Sequence, residues 1–204
     1  MFTGIVQATC DVVTIEKNPG FHTLEVSMTS ELTKGLQTGA SVANNGVCLT
    51  VTRIEDHRVF YDVMEETLCV TNLALLQAGD PVNVERSLCF GSEIGGHILS
   101  GHIHTRATVR KLMHTSEHYD LELQLDEQWL KYIFYKGFVG VNGCSLTVGK
   151  VSTDSFMLHL IPETLALTNL SQLSEGDEVN IEIDTQTQVI VDTVERYLSE
   201  RSLG

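Results

Sequence analysis

The chain repeats itself at an offset of 97 residues. Asn-Asn-Gly-Val-Cys-Leu-Thr-Val at Asn44–Val51 returns as Val-Asn-Gly-Cys-Ser-Leu-Thr-Val at Val141–Val148. Sliding the sequence over itself by the same amount places Gly4 on Gly101, Val42 on Val139, and Glu66-Thr67-Leu68 on Glu163-Thr164-Leu165. It also places Thr71-Asn72-Leu73 on Thr168-Asn169-Leu170, Gly79-Asp80 on Gly176-Asp177, and Asn83 and Glu85 on Asn180 and Glu182. One offset held without a gap marks an internal duplication, and this period is too long for a solenoid unit. The 204 residues therefore read as two similar domains in tandem, each large enough to bury a core of its own.

Within each half the pattern is that of strands. Each repeat opens on an Asn-Gly pair before a β-prone run, the strongest short-range hairpin signal. Alternating or β-branched runs such as Thr23–Ser27, Val59–Val63 and Val82–Glu85 are separated by turn residues, which predicts small antiparallel barrels or Greek keys and not a parallel α/β sheet. Short helices are predicted at Ser30–Leu36 and Asp126–Tyr132. From Val189 to Leu198 the period changes: Ile190, Val194, Tyr197 and Leu198 recur at helical spacing, with Asp192, Glu195 and Arg196 on the other side. This terminal stripe needs a cover, either a second copy of the chain or its own barrel.

Thirteen Lys and Arg against 27 Asp and Glu give a formal charge of −14, a field that repels nucleic acid and anionic membranes. No apolar run approaches the ~18 residues of a membrane span. The start Met1-Phe2-Thr3-Gly4 has neither the basic residues nor the long apolar core of a signal peptide, so a cytoplasmic location is expected. The five cysteines (Cys10, Cys48, Cys69, Cys89, Cys144) form no CxxC pair and are odd in number. That argues against a disulfide framework or zinc knuckle and for small buried hydrophobes.

Matched positions that differ between the halves are where two ancestral equivalents could diverge in role. Cys48 faces Ser145, Ile5 faces His102, Gly39 faces Lys136, Ser41 faces Phe138 and Ser87 faces Asp184. Several are potential nucleophiles, acids or bases. Each taken alone reads as structural: a hydrogen-bonded histidine, a solvated lysine or aspartate.

Six segments in order, MFTGIVQ, GASVANNGVCLTV, GGHILSGHIHT, YKGFVGVNGCSLTV, LIPETLALTNL and VNIEIDTQTQVIVDTVERYL, together resemble the riboflavin synthase family of the duplicated lumazine-binding type. The resemblance runs from Met1 to about Leu198. It implies an all-β fold of two tandem six-stranded antiparallel Greek-key barrels with short helices and a C-terminal α-helix. The implied units are residues 1–97 and 98–188, with an oligomerisation helix and tail at 189–204. The implied reaction is a dismutation in which two molecules of 6,7-dimethyl-8-ribityllumazine exchange a four-carbon unit, giving riboflavin and 5-amino-6-(D-ribitylamino)uracil. No metal or redox cofactor is implied. A homotrimer is, with the terminal helix holding it together and lumazine synthase as a candidate partner.

Carried over by resemblance, ligand contacts in the first barrel fall on Gly4, Ile5 and Val6, on Cys48, Leu49 and Thr50, and on Asp62, Val63, Met64, Glu65, Glu66 and Thr67. Those of the second fall on Gly101, His102 and Ile103, on Lys136, on Ser145, Leu146 and Thr147, and on Ile161, Pro162, Glu163, Thr164, Leu165 and Ala166. Glycines let backbone approach a heterocycle closely, and hydroxyls can bond its polar edge. Glu66 and Glu163 are candidate acceptors for ribityl hydroxyls, or else charges at strand ends. The implied catalytic group is Ser41, Cys48, His102, Ser145, Thr147 and Asp184: His102 as proton shuttle, Ser41 or Cys48 near the acceptor ring, Thr147 and Asp184 positioning or exchanging protons. Phe2 would help enclose the site. One lumazine must lose a proton from its 7-methyl group while the other is activated at ring carbon 7.

Two other readings compete. A non-catalytic lumazine or flavin carrier could use the same duplicated barrel, and a generic barrel pair could serve as an interaction module. The second leaves the matched polar positions unexplained.

Overall fold

The computed structural model describes residues 1–114 and 119–202. The first half contains β1 (Ala8–Asn18), β2 (Phe21–Ser27), α1 (Ser30–Thr33), β3 (Ser41–Asn44), β4 (Val47–Glu55), β5 (Arg58–Met64), α2 (Glu65–Val70) and β6 (Pro81–Arg86). The second contains β7 (Thr105–His114), β8 (Tyr119–Gln124), α3 (Glu127–Leu130), β9 (Phe138–Val141), β10 (Cys144–Val151), β11 (Ser155–Leu160), α4 (Pro162–Leu167) and β12 (Glu178–Ile183), followed by α5 (Thr185–Ser202). The strands close into two six-stranded antiparallel barrels, ordered β1-β2-β5-β4-β3-β6 and β7-β8-β11-β10-β9-β12. The duplication extends to irregularities. Register shifts between Val12 and Thr14 and between Val109 and Lys111 sit at the same place in the first hairpin of each half, and such bulges supply the bend that closure requires.

Each barrel buries its own apolar core. Val12, Leu24, Val26, Val42, Val59, Tyr61 and Val82 fill the first, and Val109, Leu121, Leu123, Val139, Phe156, Leu158, Val179 and Ile181 the second. The alternation of inward apolar and outward polar residues along the strands sets these cores.

The two Asn-Gly turns do more than close hairpins. Asn45 and Gly46 adopt φ of 46° and 80°, Asn142 and Gly143 φ of 44° and 79°, the left-handed pair of a type I′ turn. The turns abut: a Cβ on Gly46 would lie 2.6 Å from the backbone nitrogen of Gly143, and one on Gly143 2.7 Å from that of Gly46. Around this contact Asn45, Asn72, Asn83, Asn142, Asn169 and Asn180 are all buried and bonded across the interface. Asn72 N–H donates to Asn180 Oδ1 at 2.7 Å, and Asn169 N–H to Asn83 Oδ1 at 2.7 Å. Asn83 and Asn180 amides donate to the carbonyls of Asn142 and Asn45 at 2.9 Å each. A satisfied buried polar network specifies one docking geometry, because any shift would orphan several groups at once.

The expected short helices form at α1 and α3, and two further helices, α2 and α4, form where none was expected. Glu65, Glu66 and Glu163 thus lie in the first turns of helices and not at strand ends. The last helix begins at Thr185, earlier than the periodicity starting at Val189 suggests, because Asp184 caps it: Asp184 Oδ2 accepts from Thr187 N–H at 2.9 Å and from its hydroxyl at 2.7 Å. Residues 203 and 204 of the expected tail lie outside the described residues. No helix among the described residues is long and apolar enough to cross a membrane. Of the cysteines, Cys10 and Cys144 are buried as expected, with thiols pushed by desolvation up to about 11 and about 12. Cys48 is half-buried, while Cys69 and Cys89 are exposed free thiols, correcting the reading of all five as core.

Candidate functional site

Register aligns a row of outward-facing residues on each barrel. On the first, Thr23 is opposite Asp62 and Ser41 opposite Thr50, and Val51 opposite Tyr61 makes Thr50 and Asp62 the next pair along. The row is Thr23, Asp62, Thr50, Ser41, with Cys48 two positions before Thr50 on the same face of β4. On the second, Asp120 is opposite His159 and Phe138 opposite Thr147, with Val148 opposite Leu158. That row is Asp120, His159, Thr147, Phe138, with Ser145 in the place of Cys48.

The walls of these grooves are exchanged between the halves, which corrects the assignment of Gly4–Val6 to the first barrel and Gly101–Ile103 to the second. The Gly4 carbonyl accepts from Ser145 N–H at 2.8 Å, and the Gly101 carbonyl from Cys48 N–H at 2.9 Å. A Cβ on Gly4 would lie 2.5 Å from Ser145 Cβ, and one on Gly101 2.5 Å from Cys48 Cβ. Both glycines have φ near +80°, so close approach and backbone conformation together require the missing side chain. Val6 joins the second core and Ile103 packs against the first. His102, exposed, consequently stands at the Cys48 groove, and the 48% exposed Ile5 at the Ser145 groove. The exchange arises because the N-terminal segment and the interdomain segment run antiparallel, joined by Phe2 and Leu99. Phe2 is 1% exposed and packs with Ala43, Leu99 and Cys48; it backs the Cys48 groove from inside and does not roof it.

The second groove holds a group that the sequence reading missed. His97 Nδ1 lies 2.6 Å from Ser145 Oγ, and its ring stacks on Phe138 with centroids 5.2 Å apart. Nε2 is buried without a partner among the described residues. The imidazole thus bonds the strand bearing Ser145 through one nitrogen alone, the Nδ1 that meets Ser145 Oγ. Desolvation lowers the His97 pKa, with Asp184 nearby opposing the shift. Asp184 thus combines its capping role with a field on His97. His159, also missed, places Nδ1 2.6 Å from Asp120 Oδ1 and lays its ring over Gly149, where a Cβ would meet Nε2 at 2.8 Å. The first barrel has Asp62 there instead, accepting from the Thr23 hydroxyl at 2.8 Å.

The remaining candidates divide by side-chain direction. Thr50, Asp62, Met64, Glu65, Glu66, Thr147, Ile161, Pro162, Glu163 and Ala166 are exposed around the grooves. Ser41, Thr67 and Thr164 are half-buried. Val6, Leu49, Val63 and Leu146 point into the cores, as Leu165 does in part, and offer a ligand only backbone. Lys136 is exposed at φ 65° where the first barrel has Gly39 at φ 85°; a non-glycine residue held there costs about 1 kcal/mol or more, the kind of strain that collects at functional sites.

Two faces matched by the duplication, each with a glycine segment of the other half against its strand and a row of hydroxyl and acid groups, define a duplicated-barrel protein with two equivalent candidate sites. Comparison with known proteins narrows the class. The lumazine binding domain family matches residues 3–87 and again 100–184. Riboflavin synthase of Escherichia coli strain K12 is 52% identical over 98% of this chain and 95% of its own, and that of Chlamydia pneumoniae 40% identical over 98% of each. The crystal structure of LumP complexed with riboflavin superposes with a TM-score of 0.84 at 28% identity, covering 91% of this chain and all of LumP. The chain belongs to the riboflavin synthase family.

Proposed function

We propose that this protein is a cofactor-independent transferase that converts two molecules of 6,7-dimethyl-8-ribityllumazine into riboflavin and 5-amino-6-(D-ribitylamino)uracil, the last step of riboflavin biosynthesis. The observation that carries this is chemical asymmetry on a symmetric scaffold. Two grooves alike enough to hold the same ring differ at the reacting edge: Ser41, Cys48 and His102 line one, Ser145 with His97, Thr147 and Phe138 the other. A dismutation needs one substrate in two roles. The four-carbon unit leaves one lumazine and joins the other, so atoms balance with neither oxidant nor water consumed.

In this reading Ser145, relayed to the neutral His97, exchanges the proton of one substrate, while Cys48, Ser41 and His102 act on the other ring. Thr50 and Thr147 bond ring edges, Asp62–Thr67 and Ile161–Ala166 hold the ribityl chains, and Lys136 reaches over the rim. Stacking the two rings in line supplies much of the rate. Residues 1–97 and 98–188 carry the two barrels of a cytoplasmic enzyme, each lending its leading segment to the other's groove.

Incubation of the purified protein with the lumazine alone tests this directly. Chromatography is expected to show riboflavin and the pyrimidinedione in equal amounts. Tight binding with no product would instead make the protein a carrier.

The dismutation needs two rings side by side, and we take the facing groove from a second copy of the chain, as the family resemblance implies. We assign this to a homotrimer built on α5 and its flank, the tail of residues 189–204. That helix meets its own barrel mainly through polar pairs, Gln188 with His104 at 3.1 Å, Asp192 with Tyr132 and Glu195 with Lys131, beside Val191. Val189, Ile190, Val194, Tyr197 and Leu198 remain 51–64% exposed, an uncovered stripe that self-association would bury. A Val194→Asp, Leu198→Asp variant should run as a monomer in light scattering and lose at least about tenfold in turnover, since desolvating two charges in the interface is costly. An unchanged trimer would remove α5 from the assembly. Lumazine synthase is the partner to test against the intact trimer, by co-sedimentation.

A further inference from the structure

We propose that Glu85 and Glu182 are crosswise positioning residues: each buried carboxylate belongs to one barrel and sets the ligand groove of the other. Glu85 lies on β6 of the first barrel, 5% exposed. Its Oε1 accepts from Thr3 N–H at 2.7 Å and from the Thr3 hydroxyl at 2.8 Å, and its Oε2 accepts from Gly4 N–H at 3.0 Å. The Gly4 carbonyl then accepts from Ser145 on the second barrel. Glu182 lies on β12 of the second barrel, 2% exposed. Its Oε1 accepts from Ser100 N–H at 2.6 Å and from the Ser100 hydroxyl at 2.8 Å, and Gly101 N–H reaches its Oε2 at 3.1 Å. The Gly101 carbonyl accepts from Cys48 on the first barrel. One residue of chain therefore separates each glutamate from the strand that floors the opposite groove.

The residue type supports a positioning role. Neither glutamate has an ion-pair partner among the described residues, and a buried unpaired carboxylate is a poor way to gain stability. What it does supply is several acceptor lone pairs at one point, which a carboxylate has and an amide lacks. Three converging donors fix both the direction of the glycine segment and its distance from the strand. Because the contacts at Gly4 and Gly101 leave no room for a Cβ, a small displacement of either segment would reshape the groove. The two halves of the duplicated site are thereby tied to each other through the backbone, and neither barrel holds a complete groove alone.

This rests on the groove assignment above, so the test reads the clamp separately from the reaction. Hydrogen exchange followed by mass spectrometry on the full-length protein would compare peptides spanning Cys48 and Ser145 in Glu85→Gln, Glu182→Gln, Thr3→Val and Ser100→Ala. The last two remove one bond of each clamp and decide the matter if the glutamine variants do not fold. The expected pattern is crossed. Glu182→Gln and Ser100→Ala should speed exchange at Cys48 by about fivefold, the scale of one lost hydrogen bond, and leave Ser145 unchanged; Glu85→Gln and Thr3→Val should do the reverse. Loosening confined to each glutamate's own barrel, or equal loosening of both grooves, would overturn the proposal. Crossed exchange with unchanged lumazine turnover would uphold the clamp and count against the grooves as the reaction site, whereas lost turnover without crossed exchange would do the opposite.

Discussion

Replacing Ser145 with Ala is expected to lower turnover by about 10²- to 10⁴-fold, the range of a positioned proton-transfer group, while lumazine affinity changes by less than about threefold, since the lost hydroxyl acts chiefly in the transition state. The reason is geometric. Ser145 Oγ is the polar atom through which the buried His97 reaches the groove, and removing it isolates the imidazole. His97→Asn should lose nearly as much, because residues acting as one relay are not additive, and the double variant should be no worse than the worse single. Pre-steady-state turnover with a parallel binding titration separates the two effects. Equal losses in affinity and turnover would reassign Ser145 to plain ligand recognition.

His97 also predicts a pH profile. Burial holds its pKa below the ordinary imidazole value of about 6.5. The neutral, proton-accepting form therefore persists as pH falls through 6.5, and the acid limb of kcat belongs further down. The same shift has a stability consequence. Below about 6.5 the unfolded chain takes up a proton that folded His97 refuses, so stability present above that value is lost as pH falls toward the folded pKa. In His97→Asn both dependences should flatten.

The duplication, the hairpins and the barrels were legible because they are local or self-referential: an Asn-Gly pair fixes a turn, and alternation fixes a face. The helices α2 and α4 were not, since six residues make too few turns to show a 3.6-residue period. Only Pro162 followed by Glu163, a proline and an acid in the first turn, signalled one of them. His97 left no mark because its meaning lies in a contact 48 residues away, created by the crossing of two segments. That crossing is also why the groove walls were assigned to the wrong barrels. An offset of 97 pairs equivalent positions but is silent on which copy a segment serves. The buried asparagines were visible as repeated pairs; their partners across the interface were not.

Those asparagines surround the second large effect. Gly46→Val is expected to destabilise the protein by several kcal/mol, on the order of 3 or more, and its matched change Gly143→Val by a similar amount. Two terms contribute. The left-handed φ of 80° costs a branched residue about 1–2 kcal/mol, and the added carbon must sit 2.6 Å from the backbone of the facing turn, where no side-chain rotation can relieve it. Relief means separating the turns, which withdraws Asn45 from Asn169 and Asn180 of the other barrel and leaves buried amides unpaired at about 1–3 kcal/mol each. Gly79 separates the terms. It has φ of 95° but nothing within 4 Å of a Cβ, so Gly79→Val carries the conformational cost alone. Denaturant titration should place Gly46→Val well below Gly79→Val, with the gap measuring the contact between barrels. Equal losses would mean that the turns tolerate separation, and that the asparagine network does not specify how the two barrels dock.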